Sequence, residues 1–445
     1  MINQEAKELN DRIQPKIYSF LSEKGKEIYF PKQGILEQTK EAKGKEINAT
    51  IGIAIEDNKE VMCLESIKKN ILLKPNKIFP YAPSYGIKEL REIWETQIKQ
   101  KNPSLNAEQT KISLPIVTSG ITHGLSIISY LFINPNEEVI LTNLFWENYN
   151  LIIENGYNAR LKPVNTFKEN GFDLENLQKE LQGEGKKIVL LNFPNNPTGY
   201  SLTNTEAEEL IQVIKEAAEQ KQILIICDDA YFGLFYEENV YQEPLFSKLA
   251  NLHENVLAIK IDGATKEDYV WGLRLGFLTY GAKNIDSETL TALEEKTAGT
   301  IRGSLSSCCH LSQSLLLEAF RSSTYKEEKE NKYLILKSRY QKVKETLKNE
   351  KYKQFFTPLP FNSGYFMCVK LNENLNGERV RKVLLENYNT GVVALGNLLR
   401  IAFSSVSEEN IELLFDNIYN ACKSLFVQKG IDKYTAPMEA HKFMK

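Results

Sequence analysis

Two unbroken apolar runs decide the fold class, KIVLLNF at residues 187–193 and ILIICD at residues 223–228. Between them, TEAEELIQVIKEAAEQ (205–220) predicts a helix, with Thr203 as its N-cap and Glu206 three residues later. Strands that are apolar on both faces and are separated by helices are typical of a parallel sheet covered on both sides. This segment therefore predicts a strand–helix–strand unit of an α/β domain.

The same alternation of strands and helices extends from about residue 80 to residue 325. Further strands are predicted at 112–118, 138–142 and 256–261, and further helices at 122–132 and about 147–155. We expect a large domain over residues 76–325, built on a mainly parallel, helix-covered sheet.

The two ends of the chain follow another pattern. The charged residues 1–50 favour helices. At the other end of the chain, the sequence predicts a Lys/Glu-rich helix at 322–350, strands at 364–371 and 391–401, and a terminal helix at 408–426. We expect residues 1–75 and 326–445 to form a smaller α/β domain, with the tail from Asp432 onward loosely held.

Composition excludes several classes of protein. The chain has 445 residues with 55 Lys plus Arg against 58 Asp plus Glu, so it lacks the basic surface that nucleic acids or anionic membranes require. Its polar start predicts no signal peptide, and its apolar runs are far shorter than a membrane span. The six cysteines and four histidines show no metal-ligand spacing, which predicts free thiols, no metal site and a cytoplasmic location.

Polar residues follow the predicted strands where a parallel sheet binds its ligands, at the carboxyl ends. Gly120, Ile121 and Thr122 open a helix after one strand, and backbone N–H groups at a helix start favour a phosphate. Further polar residues stand at or after the ends of the next predicted strands. In order, they are Asn195, Asn196, Asp228, Asp229, Tyr231, Asp262, Thr265, Lys266 and Arg274. Each alone has an ordinary explanation, such as a turn or a surface lysine. Their occurrence at successive strand ends predicts a binding site.

Six motifs in this order resemble those of the class I/II aminotransferases, the fold-type I enzymes that depend on pyridoxal 5′-phosphate. The resemblance covers residues from about 47 to 403, in YAPSYGIKELRE (81–92), VTSGITHGL (117–125), NFPNNPTG (192–199), CDDAYFG (227–233), DGATKEDYVWGLRLG (262–276) and RIAFS (400–404). It implies the fold-type I architecture and transfer of an amino group between an L-amino acid and a 2-oxo acid by a ping-pong mechanism.

The resemblance assigns the ring of the cofactor to five residues. Lys266 would hold it as a Schiff base and shuttle the α-proton of the substrate. Asp228 would pair with the pyridine nitrogen and keep it protonated. Tyr231 and Asn196 would hydrogen-bond the phenolic oxygen, Asn196 also lying beside the substrate, and Trp146 would stack on the ring unless it is only a core residue.

The cofactor's phosphate is assigned to a second group of residues. By the resemblance it would be held by the segment of Gly120, Ile121 and Thr122, together with Thr265 and Arg274, whose planar guanidinium suits phosphate.

Four residues concern the substrate and the partner subunit. Tyr81 matches a tyrosine that reaches the phosphate from the neighbouring subunit, which implies a homodimer with shared active sites. Arg400 would clamp the α-carboxylate of the substrate, which the backbone of Gly52 would also approach. Arg302 resembles an arginine that binds a distal carboxylate across the dimer, which would make aspartate or glutamate an amino donor. The alternative is a helix-terminal arginine, or one that contacts only the partner chain.

The sequence departs from the family pattern at two points and leaves one assignment with a rival. The lysine motif often begins with Ser-x-Ser, but here Gly263, Ala264 and Thr265 precede Lys266, so Thr265 must supply the one remaining hydroxyl. His123 replaces a glutamine, and Asp229 is a rival of Asp228 for the pyridine nitrogen. Three functions stay open: an aminotransferase, another reaction on the same cofactor such as elimination or decarboxylation, and a non-catalytic regulator.

Overall fold

The computed structural model describes residues 3–31, 34–105 and 110–435. Its strands are β1 Ile47–Asn48, β2 Ile116–Thr118, β3 Glu138–Thr142, β4 Arg160–Val164, β5 Phe167–Lys168, β6 Gly171–Phe172, β7 Lys187–Asn192, β8 Ile223–Asp228, β9 Val256–Asp262, β10 Gly276–Ala282, β11 Phe356–Pro358, β12 Phe366–Leu371, β13 Thr390–Gly391, β14 Val393–Leu395 and β15 Leu398–Ala402.

Its α-helices range from one turn to seven turns in length. They are α1 Gln4–Asn10, α2 Pro15–Tyr18, α3 Glu23–Glu27, α4 Ile35–Glu41, α5 Glu65–Lys68, α6 Lys88–Lys101, α7 Gly120–Phe132, α8 Leu174–Glu180, α9 Asn204–Ala218, α10 Phe246–Leu249, α11 Ala264–Glu267, α12 Ser287–Ser304, α13 His310–Phe320, α14 Tyr325–Thr346, α15 Gly377–Asn387 and α16 Ile411–Thr435. No helix among the described residues is long and apolar enough to cross a bilayer.

The described chain divides into two compact units. The first contains residues 3–31, 61–337 and 360–366, and the second contains 34–60, 338–359 and 367–435. Each unit has its own sheet, as the α/β prediction requires.

The sheet of the first unit has the order β2-β10-β9-β8-β7-β3-β4. Strands β9, β8, β7, β3 and β4 are parallel, whereas β10 runs antiparallel to both of its neighbours. Every residue of β8 is buried, because helices pack against both faces of a parallel sheet. This arrangement confirms the predicted fold class.

Helix α9 joins β7 to β8 and shows why the strand–helix–strand prediction was correct. Thr203 and Glu206 form the predicted capping box, in which each side chain accepts a hydrogen bond from the other's backbone N–H. Leu210 and Ile214 of the helix are fully buried and belong to the same apolar core as Val189 of β7. The core therefore fixes the strand ends that carry the polar residues.

The second unit contains the four-stranded sheet β11-β12-β15-β14 and the pair β1-β13. Strands β1 and β13 are parallel, pairing Ile47 with Thr390 although they are far apart in the sequence. An early segment thus adds to a unit built mainly from the C-terminal part of the chain.

The predicted boundaries at residues 75/76 and 325/326 differ from this division, because residues 3–31 and 61–75 pack with the first unit. Lys24 donates a hydrogen bond of 2.6 Å to the carbonyl of Gly156. Ser66 donates one of 2.8 Å from its hydroxyl to Glu328, which itself lies beyond the predicted boundary. Most of the tail predicted to be loosely held, residues 436–445, lies outside the described residues.

Candidate active site

The carboxyl ends of the parallel strands bring several of the predicted cofactor-binding residues to one edge of the sheet in the first unit. Strand β8 ends at Asp228, β7 ends four residues before Asn196, and β9 leads into α11, which carries Lys266. Gly120 opens α7 directly after β2 and Ser119. The sheet topology therefore places side chains from distant parts of the sequence at the same edge.

Lys266 has an amine with a lowered pKa. Its Nζ lies 4.9 Å from the centre of the Tyr231 ring. Removal of the amine from water lowers the pKa of Lys266 to about 8, a shift that Arg274 supports and the negative charge of Asp228 opposes. A larger fraction of this amine is neutral near pH 7 than for an ordinary lysine, and the neutral amine is the form that attacks a carbonyl carbon.

Asp228 is held by two donors in the interior. Its Oδ2 accepts a hydrogen bond of 2.6 Å from the hydroxyl of Tyr149, and its Oδ1 accepts one of 3.1 Å from the backbone N–H of Ala230. Burial raises the pKa of Asp228, while the Tyr149 hydrogen bond and the charge of Lys266 lower it. Tyr149 was not identified from the sequence, since nothing local marks its contact with a strand end far along the chain.

Asp229, the alternative to Asp228 for the pyridine nitrogen, pairs with a buried lysine instead. It forms a buried ion pair with Lys260 of β9, whose Nζ also lies 3.2 Å from Asp262, and Asp262 accepts a hydrogen bond of 3.0 Å from Trp94. Burial alone would lower the pKa of Lys260, but the two carboxylates raise it above its ordinary value. The carboxylate of Asp229 thus serves an internal cation, whereas that of Asp228 acts on Lys266.

The start of α7 forms an anion cradle with Arg274. Gly120 has a φ of 78°, and a Cβ at this position would stand 2.7 Å from Nη2 of Arg274. A side chain here would push the guanidinium away from the helix start, and the positive φ itself favours glycine. The backbone N–H groups of Ile121 and Thr122 belong to the first turn of this helix, where the helix dipole favours an anion.

The departure at Gly263 has a steric cause. A Cβ on Gly263 would lie 2.5 Å from the carbonyl oxygen of Leu275 and 2.8 Å from the Cα of Gly276. A serine therefore does not fit here without movement of the backbone. The neighbouring hydroxyl of Thr265 is buried and lies 3.4 Å from the same carbonyl oxygen.

Aromatic and amide groups surround the lysine segment. Tyr231 is buried, and its ring meets those of Tyr365 and Phe366 edge to face at 5.4 and 5.6 Å. Asn196 is buried, with its backbone N–H bonded to Asn192. These side chains lie at the same edge as Lys266.

Trp146 lies three residues before Tyr149, and the two rings meet edge to face at 5.6 Å. Trp146 is half-buried, unlike an ordinary core residue. The helix predicted at about 147–155 is a short π-helix at Asn150–Asn155, and Tyr149 directly precedes it.

His123, the second departure, is built into the start of α7. Its Nδ1 accepts a hydrogen bond of 3.1 Å from the N–H of Ser119, and its Nε2 lies 3.4 Å from the hydroxyl of Ser304. Burial lowers the pKa of His123. A ring that accepts at Nδ1 and is desolvated is favoured in its neutral form.

Arg400 binds the backbone two residues before Gly52, inside the second unit. Nη2 of Arg400, in β15, donates a hydrogen bond of 2.9 Å to the carbonyl of Thr50, two residues before Gly52. Arg400 is buried. The guanidinium is thus tied to the segment that leads to Gly52.

Tyr81 and Arg302 are exposed. The side chain of Tyr81 is 91% accessible. Arg302, near the end of α12, donates a hydrogen bond of 2.8 Å to the hydroxyl of Ser306. These contacts within one chain do not assign either residue to the site.

The family model described as "Aminotransferase class I and II" matches residues 46–418. The chain belongs to this aminotransferase family. Members of the class I and II aminotransferases depend on pyridoxal phosphate, which the residues at the sheet edge fit. The cradle of Gly120 and Arg274 suits its phosphate, Asp228 suits a protonated ring nitrogen, and the amine of Lys266 suits its aldehyde.

Two curated relatives illustrate the range of the family. The aspartate aminotransferase of Sulfurisphaera tokodaii is 28% identical over 207 residues, which is 46% of this chain and 48% of the relative. The probable aspartate/prephenate aminotransferase of Aquifex aeolicus is 31% identical over 202 residues, which is 44% of this chain and 48% of the relative. The matched part spans about half the length of these relatives.

Solved aminotransferase structures share the fold over most of their length. An aminotransferase from Anaerococcus prevotii superposes with a TM-score of 0.78 at 24% identity, covering 91% of this chain and 99% of that one. The kynurenine aminotransferase of Pyrococcus horikoshii, solved with PMP, gives a TM-score of 0.76 at 16% identity, covering 92% and 98%. These similarities confirm the fold-type I architecture.

Proposed function

We propose that the protein is a pyridoxal-phosphate-dependent aminotransferase that moves an amino group between an L-amino acid and a 2-oxo acid in two half-reactions. The observation that carries the proposal is the environment of Lys266, an amine with a pKa lowered to about 8 at the sheet edge that also carries Asp228 and the Gly120–Arg274 cradle. When bound, the cofactor supplies an electron-accepting ring that stabilises negative charge on the α-carbon of the substrate.

The residues of this chain divide the remaining tasks. Lys266 holds the cofactor through Nζ and, once released, moves the proton of the α-carbon. Asp228 keeps a proton on the ring nitrogen, while Tyr231 and Asn196 hydrogen-bond the phenolic oxygen. Trp146 stacks on the ring.

Phosphate binding supplies orientation rather than chemistry. The N–H groups at Ile121 and Thr122, the hydroxyl of Thr265 and the guanidinium of Arg274 together anchor the phosphate. Gly263 leaves Thr265 as the hydroxyl available from the lysine motif. A firm anchor keeps the reacting atoms within reach of Lys266, which is how an enzyme gains rate from positioning.

Substrate binding is assigned to Arg400, Gly52 and Arg302. Arg400 clamps the α-carboxylate with two parallel hydrogen bonds, and the backbone at Gly52 assists. Arg302 binds the distal carboxylate of an aspartate- or glutamate-type donor from across the dimer. Two relatives named above carry "aspartate" in their names, which supports this substrate class.

The protein acts as a homodimer in the cytoplasm. In the single chain, Leu72, Phe79 and Tyr81 are 96%, 80% and 91% exposed. Large apolar side chains that are this exposed in one chain are typical of a surface that another chain covers. A second subunit would bury them and bring Tyr81 to the neighbouring phosphate. The six cysteines are unpaired, as in a reducing compartment.

The half-reaction tests the proposed function. The purified protein loaded with cofactor should absorb in the visible, and an amino donor should bleach this absorbance until 2-oxoglutarate restores it. Formation of glutamate without ammonia or carbon dioxide would establish transamination. Release of either product in stoichiometric amounts would assign the protein to the eliminating or decarboxylating enzymes instead.

A further inference from the structure

A cavity of about 670 Å³ lies in the first unit, apart from the candidate active site. Two lining residues follow the proposed site residues in the chain, Glu267 after Lys266 and Phe232 after Tyr231. Neither Lys266 nor Tyr231 lines the cavity itself. The space is large enough for a molecule of amino-acid size or somewhat larger.

The walls of the cavity are rich in aromatic rings. These rings come from several elements of the first unit and belong to Phe232, Phe235, Tyr269, Phe320, Tyr325 and Tyr333. Phe232 and Phe235 meet edge to face at 5.4 Å, as do Phe320 and Tyr325 at 5.2 Å. Such walls favour a planar ring, because ring pairs gain energy beyond simple burial.

A group of ion pairs forms part of the same wall. Glu267 lies 2.5 Å from Lys101 and 2.9 Å from Lys329, and Lys329 also lies 3.1 Å from Asp268. Burial alone would raise the pKa of Glu267, but the two lysines lower it to about 2. These two acids and two lysines balance, so the group has no net charge.

Lys326 adds a positive charge that is not part of this group of ion pairs. It is exposed, lines the cavity from α14, and forms no ion pair with the residues that the structure describes. Lys101 has one carboxylate partner in this wall, so its ammonium has donors left for a ligand. Glu330 also lines the cavity and would repel an anion close to it.

We propose that this cavity binds a small aromatic carboxylate, with its ring between the aromatic walls and its carboxylate at Lys326 and Lys101. The site is separate from the one that holds the cofactor and does not depend on transamination. Because Lys101 also holds Glu267, the ligand would share a cation with the residue next to Lys266.

Calorimetric titration of the holoenzyme with 3-phenylpropionate tests the proposal, since this probe has neither the amino nor the oxo group that transamination requires. Each protein is titrated with Arg400→Ala also in place, because the carboxylate of the probe would otherwise bind the proposed clamp of the active site. Gln97→Trp should fill the cavity and abolish binding, and Lys326→Met should weaken it about tenfold. Glu330→Gln should leave the affinity unchanged or increase it. Lys99→Met, two residues from Lys101 but outside the cavity lining, is the matched control and should bind as the wild type does.

Three results would overturn the proposal. They are no binding of the probe at millimolar concentration, unchanged binding in Gln97→Trp, and weakening by Glu330→Gln but not by Lys326→Met. Lys326 is exposed, so its replacement gives a clear answer even if Gln97→Trp disturbs packing. Transamination is assayed separately, which distinguishes failure of this site from failure of the proposed function.

Discussion

The hydroxyl of Tyr149 donates a hydrogen bond of 2.6 Å to Oδ2 of Asp228, and both side chains are buried. Burial, followed by the charge of Asp228, raises the pKa of Tyr149 well above its ordinary value, so the phenol remains a donor throughout the working pH range. The same hydrogen bond opposes the rise that burial imposes on the pKa of Asp228. Tyr149 therefore favours the ionised form of the carboxylate.

Replacement of Tyr149 by Phe should weaken cofactor binding. Loss of a hydrogen bond to a charged group costs about 1.5–3 kcal/mol, or roughly 10- to 100-fold in affinity. Because the pKa of Asp228 would rise further, the loss of affinity on acidification should begin at a higher pH. Titration of the apoenzyme with pyridoxal phosphate at several pH values measures both effects.

Tyr236→Phe is the matched control for this experiment. Tyr236 is also buried, and its hydroxyl donates a hydrogen bond of 2.8 Å to the neutral carbonyl of Gly364. It should lose stability but keep wild-type cofactor affinity. Equal affinity in both variants would show that Tyr149 has only a structural role.

Asp228 and Asp229 should respond to replacement in opposite ways. Asp229→Asn leaves Lys260 with one of its two carboxylates, and breaking a buried ion pair destabilises a protein by about 3–5 kcal/mol. Asp228→Asn should instead abolish tight cofactor binding with a smaller loss of stability. Urea unfolding and cofactor titration, applied to both variants, separate the two roles. Greater loss of affinity in Asp229→Asn would make Asp229 the partner of the ring nitrogen.

The pKa of Lys266 should govern how fast the apoenzyme captures its cofactor. Capture needs the neutral amine, so its rate should rise with pH around a midpoint of about 8 rather than the ordinary value near 10.4. Asp228 raises this pKa and Arg274 lowers it. Asp228→Asn should therefore shift the midpoint down, and Arg274→Met should shift it up. Stopped-flow absorbance measures the rate, and shifts in the reverse directions would refute these electrostatic assignments.

Much of the fold could be predicted because its signals are local. Strand β8 is fully buried and β7 is buried after Lys187, and both appear in the sequence as continuous apolar runs. The Thr203 capping box marks the start of α9. The strand predicted at 256–261 agrees with β9 to within one residue. In each case the local pattern and the final packing agree.

Other elements depend on contacts that no local pattern records. Strand β10, with the sequence GFLTYGA, was not predicted, because its place between β2 and β9 follows from pairing across the sheet. The strand predicted at 112–118 is shorter, Ile116–Thr118, with Ile112 only bridging to Gly281. The region predicted as strands at 391–401 forms the hairpin of β14 and β15.

In the candidate site, too, the sequence predicts residues marked by local patterns but not those whose roles depend on distant contacts. Lys266, Asp228 and Arg274 follow strand ends and could be proposed from their order in the sequence. Tyr149 and Lys260 could not, because their roles arise from contacts with residues 79 and 31 positions away. The choice between Asp228 and Asp229 likewise depends on Lys260, which lies in a neighbouring strand.

Replacement of Arg302 by Ala tests the proposed substrate class. The variant should raise KM for aspartate and glutamate about tenfold or more, since a charge-assisted bidentate contact is lost, while alanine-like donors keep their KM. Arg160→Ala, at another exposed arginine, is the control. An equal rise in KM for alanine-like donors would show that Arg302 does not bind the distal carboxylate.

The proposed covalent link between Lys266 and the cofactor is tested most directly by borohydride reduction of the loaded protein, followed by digestion and peptide mass mapping. We expect the reduced pyridoxyl group on the peptide that contains Lys266, and no incorporation in Lys266→Ala. A label on another lysine, or none at all, would contradict the proposed function.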